Sequence, residues 1–156
     1  MKYPHMIFST LCALMLMSSL PLASSPSDDR VAISLNQTER AIILHEMRQF
    51  LAGMQTMLGA LAEEDMPLVA HTARSLGTQM THEVPQSLKQ KLPEPFRKMG
   101  FAVHSDFDTL ALDAESLEDS KHALNQLSLT VKKCVACHSA YEISIPSDSD
   151  LSENNR

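Results

Sequence analysis

Apolar residues recur at gaps of three and four through most of this chain, and no segment shows the evident alternation of a strand. That period marks helices that bury one face each. From Asn36 to about Glu63 the stripe is Ile43, Met47, Phe50, Met54, Met57 or Leu58, and Leu61. Asn36 followed three residues later by Glu39 is the pattern of a capping box at its start. Asp65 is placed to cap a second helix, with Pro67 tolerated in its first turn and a face made of Leu68, Val69, Ala73, Leu76 and Met80. The stretch "THEVPQSLKQKLPEP", with Pro85, Pro93 and Pro95, reads as a crossover with at most short helical turns. A third helix is expected over Phe101 to Ser116, with a start as early as Glu94 and an interruption at Gly100 as the alternative. It sets Phe101, His104, Phe107, Leu110 or Ala111, and Ala114 on one face. A fourth, Asp119 to Tyr141, carries the stripe Leu124, Leu127, Val131, Cys134, His138 and Tyr141. Four glycines and no tryptophan in 156 residues, with Leu, Ala, Met, Glu and Gln abundant, favour helix over sheet. The expectation is an all-α fold: an antiparallel four-helix bundle over residues 36–143, its longest connection between the second and third helices.

The ends read differently. Residues 1–23 combine one early charge, Lys2, an apolar run from Met6 to Leu20 and small residues near Ala23, which is the pattern of a secretory signal peptide. The run is shorter than the roughly 20 residues that span a bilayer, which counts against a retained anchor. Residues 24–35 read as a flexible start and residues 144–156 as a disordered polar tail. Loss of residues 1–23 removes Cys12 and Lys2, leaving Cys134 and Cys137 as the cysteines and moving the formal charge from −6 to −7. An acidic chain is a poor partner for nucleic acid or an anionic membrane, and suits a protein with a basic docking patch.

The chemistry concentrates in "VKKCVACHSAY", Val131 to Tyr141. Cys-x-x-Cys-His is the attachment signature of a c-type haem. Two thiols three apart near a helix end lie on one side and can both add to the porphyrin vinyl groups. The histidine that follows turns a neutral imidazole, a good iron ligand, toward the ring centre. The expected stripe points Cys134 and His138 into the bundle. A thioredoxin-like dithiol would instead begin a helix after a strand. A structural zinc site would need further ligands at matching spacing. A disulfide is disfavoured by the three-residue helical spacing. A non-haem dithiol or metal-binding protein remains the alternative reading of the motif.

These residues and their surroundings resemble the helical-bundle cytochromes c, the class of cytochrome c′ and its Met/His-ligated low-spin relatives. "CVACHSAY" matches that class's CxxCHxxY, "HEMRQFL" its first-helix segment, "ALAEED" its first turn and "ARSLG" its second helix, while "LPEPFRKMGFAVHSDFDTLA" matches its third region. The likeness covers about Glu39 to Tyr141. It implies one covalent haem c on Cys134 and Cys137, iron held by His138, a periplasmic location and electron transport between redox proteins rather than catalysis. Dimers through the first two helices, common in that class, imply a homodimer as an option here. One departure stands out: many relatives carry a basic residue after the tyrosine, near the haem propionates, and here it is Glu142.

The sixth iron position decides the function within that class. A methionine thioether closes the site, raises the potential and suits electron transfer. An apolar residue leaves five-coordinate iron that binds NO or CO. Met47 is the first candidate ligand, because it lies on the first-helix stripe and matches the class's ligand-bearing segment. Met54 is the next, and Leu44 is the residue that could block the distal face in a gas binder. The competing reading of Met47 is core filler. His104 is expected to face the core between Phe101 and Phe107, as a buried histidine with one hydrogen bond or as a haem-edge contact. His45 and His71 are expected on solvated faces, and Arg40, Arg48 and Arg74 as exposed charges or propionate partners.

Overall fold

A computed structural model describes residues 28–146; the segment read as a signal peptide and all but the first residues of the polar tail lie outside the described residues. Over the described residues the chain is mostly helical, with five α-helices packed against one another. Among the described residues no helix is long and apolar enough to cross a membrane.

Helix α1, Gln37–Ala62, starts where the sequence indicates. The Asn36 side chain accepts from the Glu39 amide at 2.9 Å, and the Asn36 amide donates to the Glu39 carboxylate at 3.1 Å. This reciprocal cap satisfies two otherwise unpaired amides, an arrangement worth about 1 kcal/mol. The chain then turns through Glu64, in the left-handed region at φ 57°, and Asp65 caps α2, Met66–Ser75, by accepting from the Leu68 amide at 3.0 Å.

Helix α2 is shorter than its apolar stripe suggests, and the cause is side-chain capture. The Asp108 carboxylate accepts from the Thr78 amide at 3.0 Å and from the Thr78 hydroxyl at 2.7 Å. That fixes the backbone beyond Gly77, where a Cβ would fall 1.8 Å from an Asp108 oxygen. Met80 is still buried, delivered by a 3-10 segment over Thr78–Glu83. The proline-rich crossover contains a short helix, α3, Gln86–Lys91, that buries Leu88.

Helix α4, Glu94–Leu117, runs through Gly100 without interruption, so its early start is the correct alternative. It ends at Glu118, φ 48°, and Asp119 caps α5, Ser120–Ala140. Helix α2 packs against both α1 and α4, α4 against α5, and α1 meets α5 only sparsely. The main core gathers Phe50, Met57, Val69, Ala73, Phe107, Leu110, Ala111 and Leu127. Small residues on α2 and α4 let these helices approach closely.

Two expectations about faces need correction. Phe101 is 58% exposed, and Val103 takes its place on the buried face of α4 beside His104, Phe107, Leu110, Ala111 and Ala114. On α5, Leu124, Val131 and His138 are exposed, whereas Ala123, Leu127 and Thr130 are buried. The buried stripe is therefore rotated by about one residue toward Ala123, Thr130 and Cys137. Both stripes have gaps of three and four, so apolar periodicity cannot separate them. Thr130 decides it: its hydroxyl donates to the Gln126 carbonyl at 3.1 Å and lies 3.4 Å from the Asp106 carboxylate, which makes a polar residue tolerable inside.

The other difference is a pair of strands. β1, Val31–Ser34, lies within the segment read as flexible and pairs in parallel with β2, Tyr141–Ser144, which follows α5 directly. Val31 stands opposite Tyr141 and Ser34 opposite Ser144. Ile33 and Leu35 pin this strap to a second small core with Ile43, Leu88 and Leu92.

Candidate functional site

Helices α1, α4 and α5 and strand β2 enclose a cavity of about 350 Å³. Helix α1 contributes Ile43, Leu44, Glu46, Met47 and Phe50 to its wall. Helix α4 supplies Phe96, Met99, Gly100, Val103 and His104. The last turns of α5 supply Cys134, Cys137 and His138, and β2 supplies Tyr141, Glu142 and Ile143. Arg30, just before β1, completes the lining. The volume lies within the range of small-molecule and cofactor sites, and most of the wall is apolar with a few converging polar groups, as such sites usually are.

The cavity brings together Cys134, Cys137, His138, Met47, Leu44 and His104. It does not include Met54, which packs against the main core, nor Arg40, Arg48 or Arg74. Arg74 instead pairs with Glu115 at 2.6 Å on the surface, and His45 and His71 are exposed as expected. Met47 is half-buried and touches both hydrophobic cores, so it bridges them while facing the cavity.

Both thiols are free and half-buried, and Cys134 Sγ lies 3.5 Å from the Thr130 carbonyl. Burial pushes both thiols above the ordinary cysteine value; the Asp106 carboxylate adds to this at Cys134, and Cys134 itself adds to it at Cys137. They sit in the last turns of a helix, where backbone carbonyls, not amides, face outward and do nothing to stabilise a thiolate. His138 is exposed in the same last turn.

His104 is 4% exposed and both ring nitrogens are engaged. Nδ1–H donates to the Leu76 carbonyl at 2.7 Å, since a carbonyl only accepts. Nε2 therefore meets the Glu46 carboxylate at 3.2 Å with a proton between them. Burial works against the imidazolium, but the Glu46 carboxylate and the Leu76 carbonyl outweigh it, and the pKa is raised above 6.5. The ring lies against Phe50, centroids 5.0 Å apart, and Phe50 in turn stacks on Phe107 at 5.6 Å. His104 thus holds the cavity wall with no nitrogen spare for a metal.

Several lining residues escaped the sequence reading: Arg30, Glu46, Phe96, Met99 and Gly100. Phe96 makes an edge contact with Tyr141 at 5.4 Å across the α4–β2 corner. Gly100 leaves the α4 backbone open to the cavity, because a Cβ there would meet nothing within 4 Å. The signal that could have found Phe96 and Met99 is helical spacing: Met99 lies four residues before Val103, and Phe96 three before Met99 and seven before Val103. Arg30 has no local signal, because its place depends on pairing with a strand at the far end of the chain.

The donor set fits an iron porphyrin. His138 and Met47 could supply an imidazole and a thioether to its iron, Cys134 and Cys137 could supply thiols for attachment, and the rest of the wall is largely apolar. Among the described residues no group of three or more His, Cys, Asp or Glu side chains could hold a bare metal ion. No family model, no curated protein and no solved structure matches the chain, so the likeness to the helical-bundle cytochromes rests on its own motifs.

Proposed function

We propose that the chain is a periplasmic monohaem c-type cytochrome, built as an antiparallel four-helix bundle of α1, α2, α4 and α5, that carries single electrons between redox proteins. The observation that supports this most is the convergence of Cys134, Cys137 and His138 from α5 with Met47 from α1 on one cavity. Haem c bound there would supply the one-electron couple of its iron. Cys134 and Cys137 are the thiols that would anchor it, and His138 and Met47 the side chains that would hold the iron. Ile43, Phe50 and Val103 keep water from that end of the site, and burial with Met/His ligation favours the reduced iron. His138 and the half-exposed last turn of α5 leave an edge open for exchange with a partner protein. The raised thiol pKa values weigh against a dithiol redox centre, which works through a stabilised thiolate.

A second reading has one observation behind it. Leu44 lines the same cavity as Met47, so an apolar side chain is also at hand on α1 for the far side of the iron. That arrangement would make a five-coordinate binder of NO or CO. The absorption spectrum of the reduced full-length protein, with and without CO, separates the two. A low-spin spectrum indifferent to CO is expected, and a CO-shifted high-spin spectrum would move the assignment to the gas binder. Met47→Ala is expected to turn the first spectrum into the second; an unaltered spectrum would remove Met47 as ligand.

A further inference from the structure

We propose that Arg30, held at the cavity mouth by the β1–β2 strap, pairs with an acid group of the cavity's ligand. The assignment rests on the haem reading and names that acid as a propionate of the porphyrin. The sequence around Arg30 gives no hint of such a role. Its place comes from β1, which pairs in parallel with the strand that leaves the cysteine-bearing helix, so Arg30 is brought alongside the residues that close α5. There its Nη2 lies 3.2 Å from the Glu142 carboxylate, and both residues line the cavity.

Charge balance carries the argument. Among the described lining residues Arg30 is the one Arg or Lys, against the carboxylates of Glu46 and Glu142. Glu46 already faces His104 from α1 to α4. A ligand bearing carboxylates would meet only like charge at this wall, apart from Arg30 and the histidines. Asp28 binds Arg30 through Nε and Nη2, so Nη1 donates to neither Asp28 nor Glu142. Nη2 gives one N–H to Asp28 and the other to Glu142, so Nη1 is the nitrogen left to donate to an incoming carboxylate. The grip by Asp28 then orients the group rather than consuming it. Glu142 stands where related cytochromes carry a cation, and the strap returns a cation to the same corner from the opposite end of the chain.

The test uses the haem-loaded full chain. Arg30→Gln is expected to keep covalent haem while shifting the propionate-bending band in resonance Raman. It is also expected to move the pH-dependent step of the midpoint potential upward, since the acid has lost its cationic partner. The groups that share the corner are Asp28 on the same segment, Glu142 on β2, Glu46 on α1, His104 on α4 and His138 on α5. Glu142→Gln breaks the ion pair within the strap but leaves Arg30, so it is expected to keep the bending band of the wild type. If Arg30 only fastens the strap, the two variants behave alike, and that result overturns the assignment. Should Arg30→Gln load no haem, Arg30→Lys decides: a band displaced from wild type supports the contact from Nη1, which lysine lacks, and an unmoved band refutes it. A wild-type protein without covalent haem mass would overturn the cytochrome reading and this assignment with it; full haem with an unmoved band in Arg30→Gln overturns Arg30 alone.

Discussion

The two halves of α5 are packed differently. Up to Thr130 the helix buries Ala123, Leu127 and Thr130, whereas beyond it Cys134 and Cys137 are half-buried and His138 is exposed. Helix α4 repeats the division: Phe107, Leu110, Ala111 and Ala114 are buried, while Phe96, Met99 and Gly100 are half-buried around the cavity. One end of the molecule is thus closed by side chains alone and carries most of the packing free energy. The other end keeps apolar side chains of the same types apart around a space lined with thiols, thioethers and imidazoles. Stability and chemistry are separated along the helices, so substitutions at the two ends should have different signatures.

The sharpest comparison is between two phenylalanines on α4. Phe107 is fully buried and stacks on Phe50. Its replacement by Ala should cost about 3–5 kcal/mol in urea unfolding, the sum of lost transfer free energy and the cavity left behind. Phe96 is half-buried and meets Tyr141 only edge-on. Phe96→Ala should cost on the order of 1 kcal/mol. Equal losses would mean that the cavity end is as tightly packed as the core.

His104 lies on the border between the two ends, and its effect depends on pH. Its folded pKa is raised above 6.5, so the pair with Glu46 stabilises the fold fully below that value, and the contribution is lost as pH rises through the folded pKa. Glu46→Leu leaves a buried N–H without its acceptor, a loss of about 1–3 kcal/mol at roughly pH 6. The same substitution should cost less as the pH is taken upward through the folded pKa and the ring loses its charge. Thermal melts of both proteins across a pH series from about 6 upward check this, and a cost that grows with pH would show that the pair has the opposite protonation.

How much of this was legible beforehand depended on how local each signal was. The caps at Asn36 and Asp65 lie within three residues of what they satisfy, and the starts of α1 and α2 are legible through them; the start of α5 is legible near Asp119, although its capping role shows only in the structure. Motif and stripe are local too, and they single out Cys134, Cys137, His138 and Met47, which line one cavity. The exact face of α5 is not legible in this way, because stripes one residue apart share the same gaps, and the approach of Asp106 on another helix to Thr130 leaves no local signal. The end of α2 depended on Asp108, 30 positions beyond Thr78. The strap depended on strands at opposite ends of the chain, each too short to announce itself, and Arg30 was hidden with it.

Two helical glycines give the cleanest contrast, because the expected effects have opposite signs. At the closed end, a Cβ on Gly53 would fall 2.5 Å from Leu76 Cδ1, and Leu76 is itself buried in the main core. Gly53 is there because α1 and the end of α2 touch, and Gly53→Ala should destabilise by about 1–3 kcal/mol through overpacking, despite the gain in helix propensity. At the cavity, a Cβ on Gly100 would meet nothing within 4 Å, so Gly100→Ala should instead stabilise the unloaded fold by up to about 1 kcal/mol. A larger side chain tests what the open backbone is for: Gly100→Leu keeps the propensity gain but fills the cavity beside Val103, and should lower the yield of covalent haem while the melting temperature of the unloaded chain holds or rises. Undiminished haem with Leu at this position would mean that a flat group does not lie against α4, and would turn the search for its seat toward the α1 wall around Leu44.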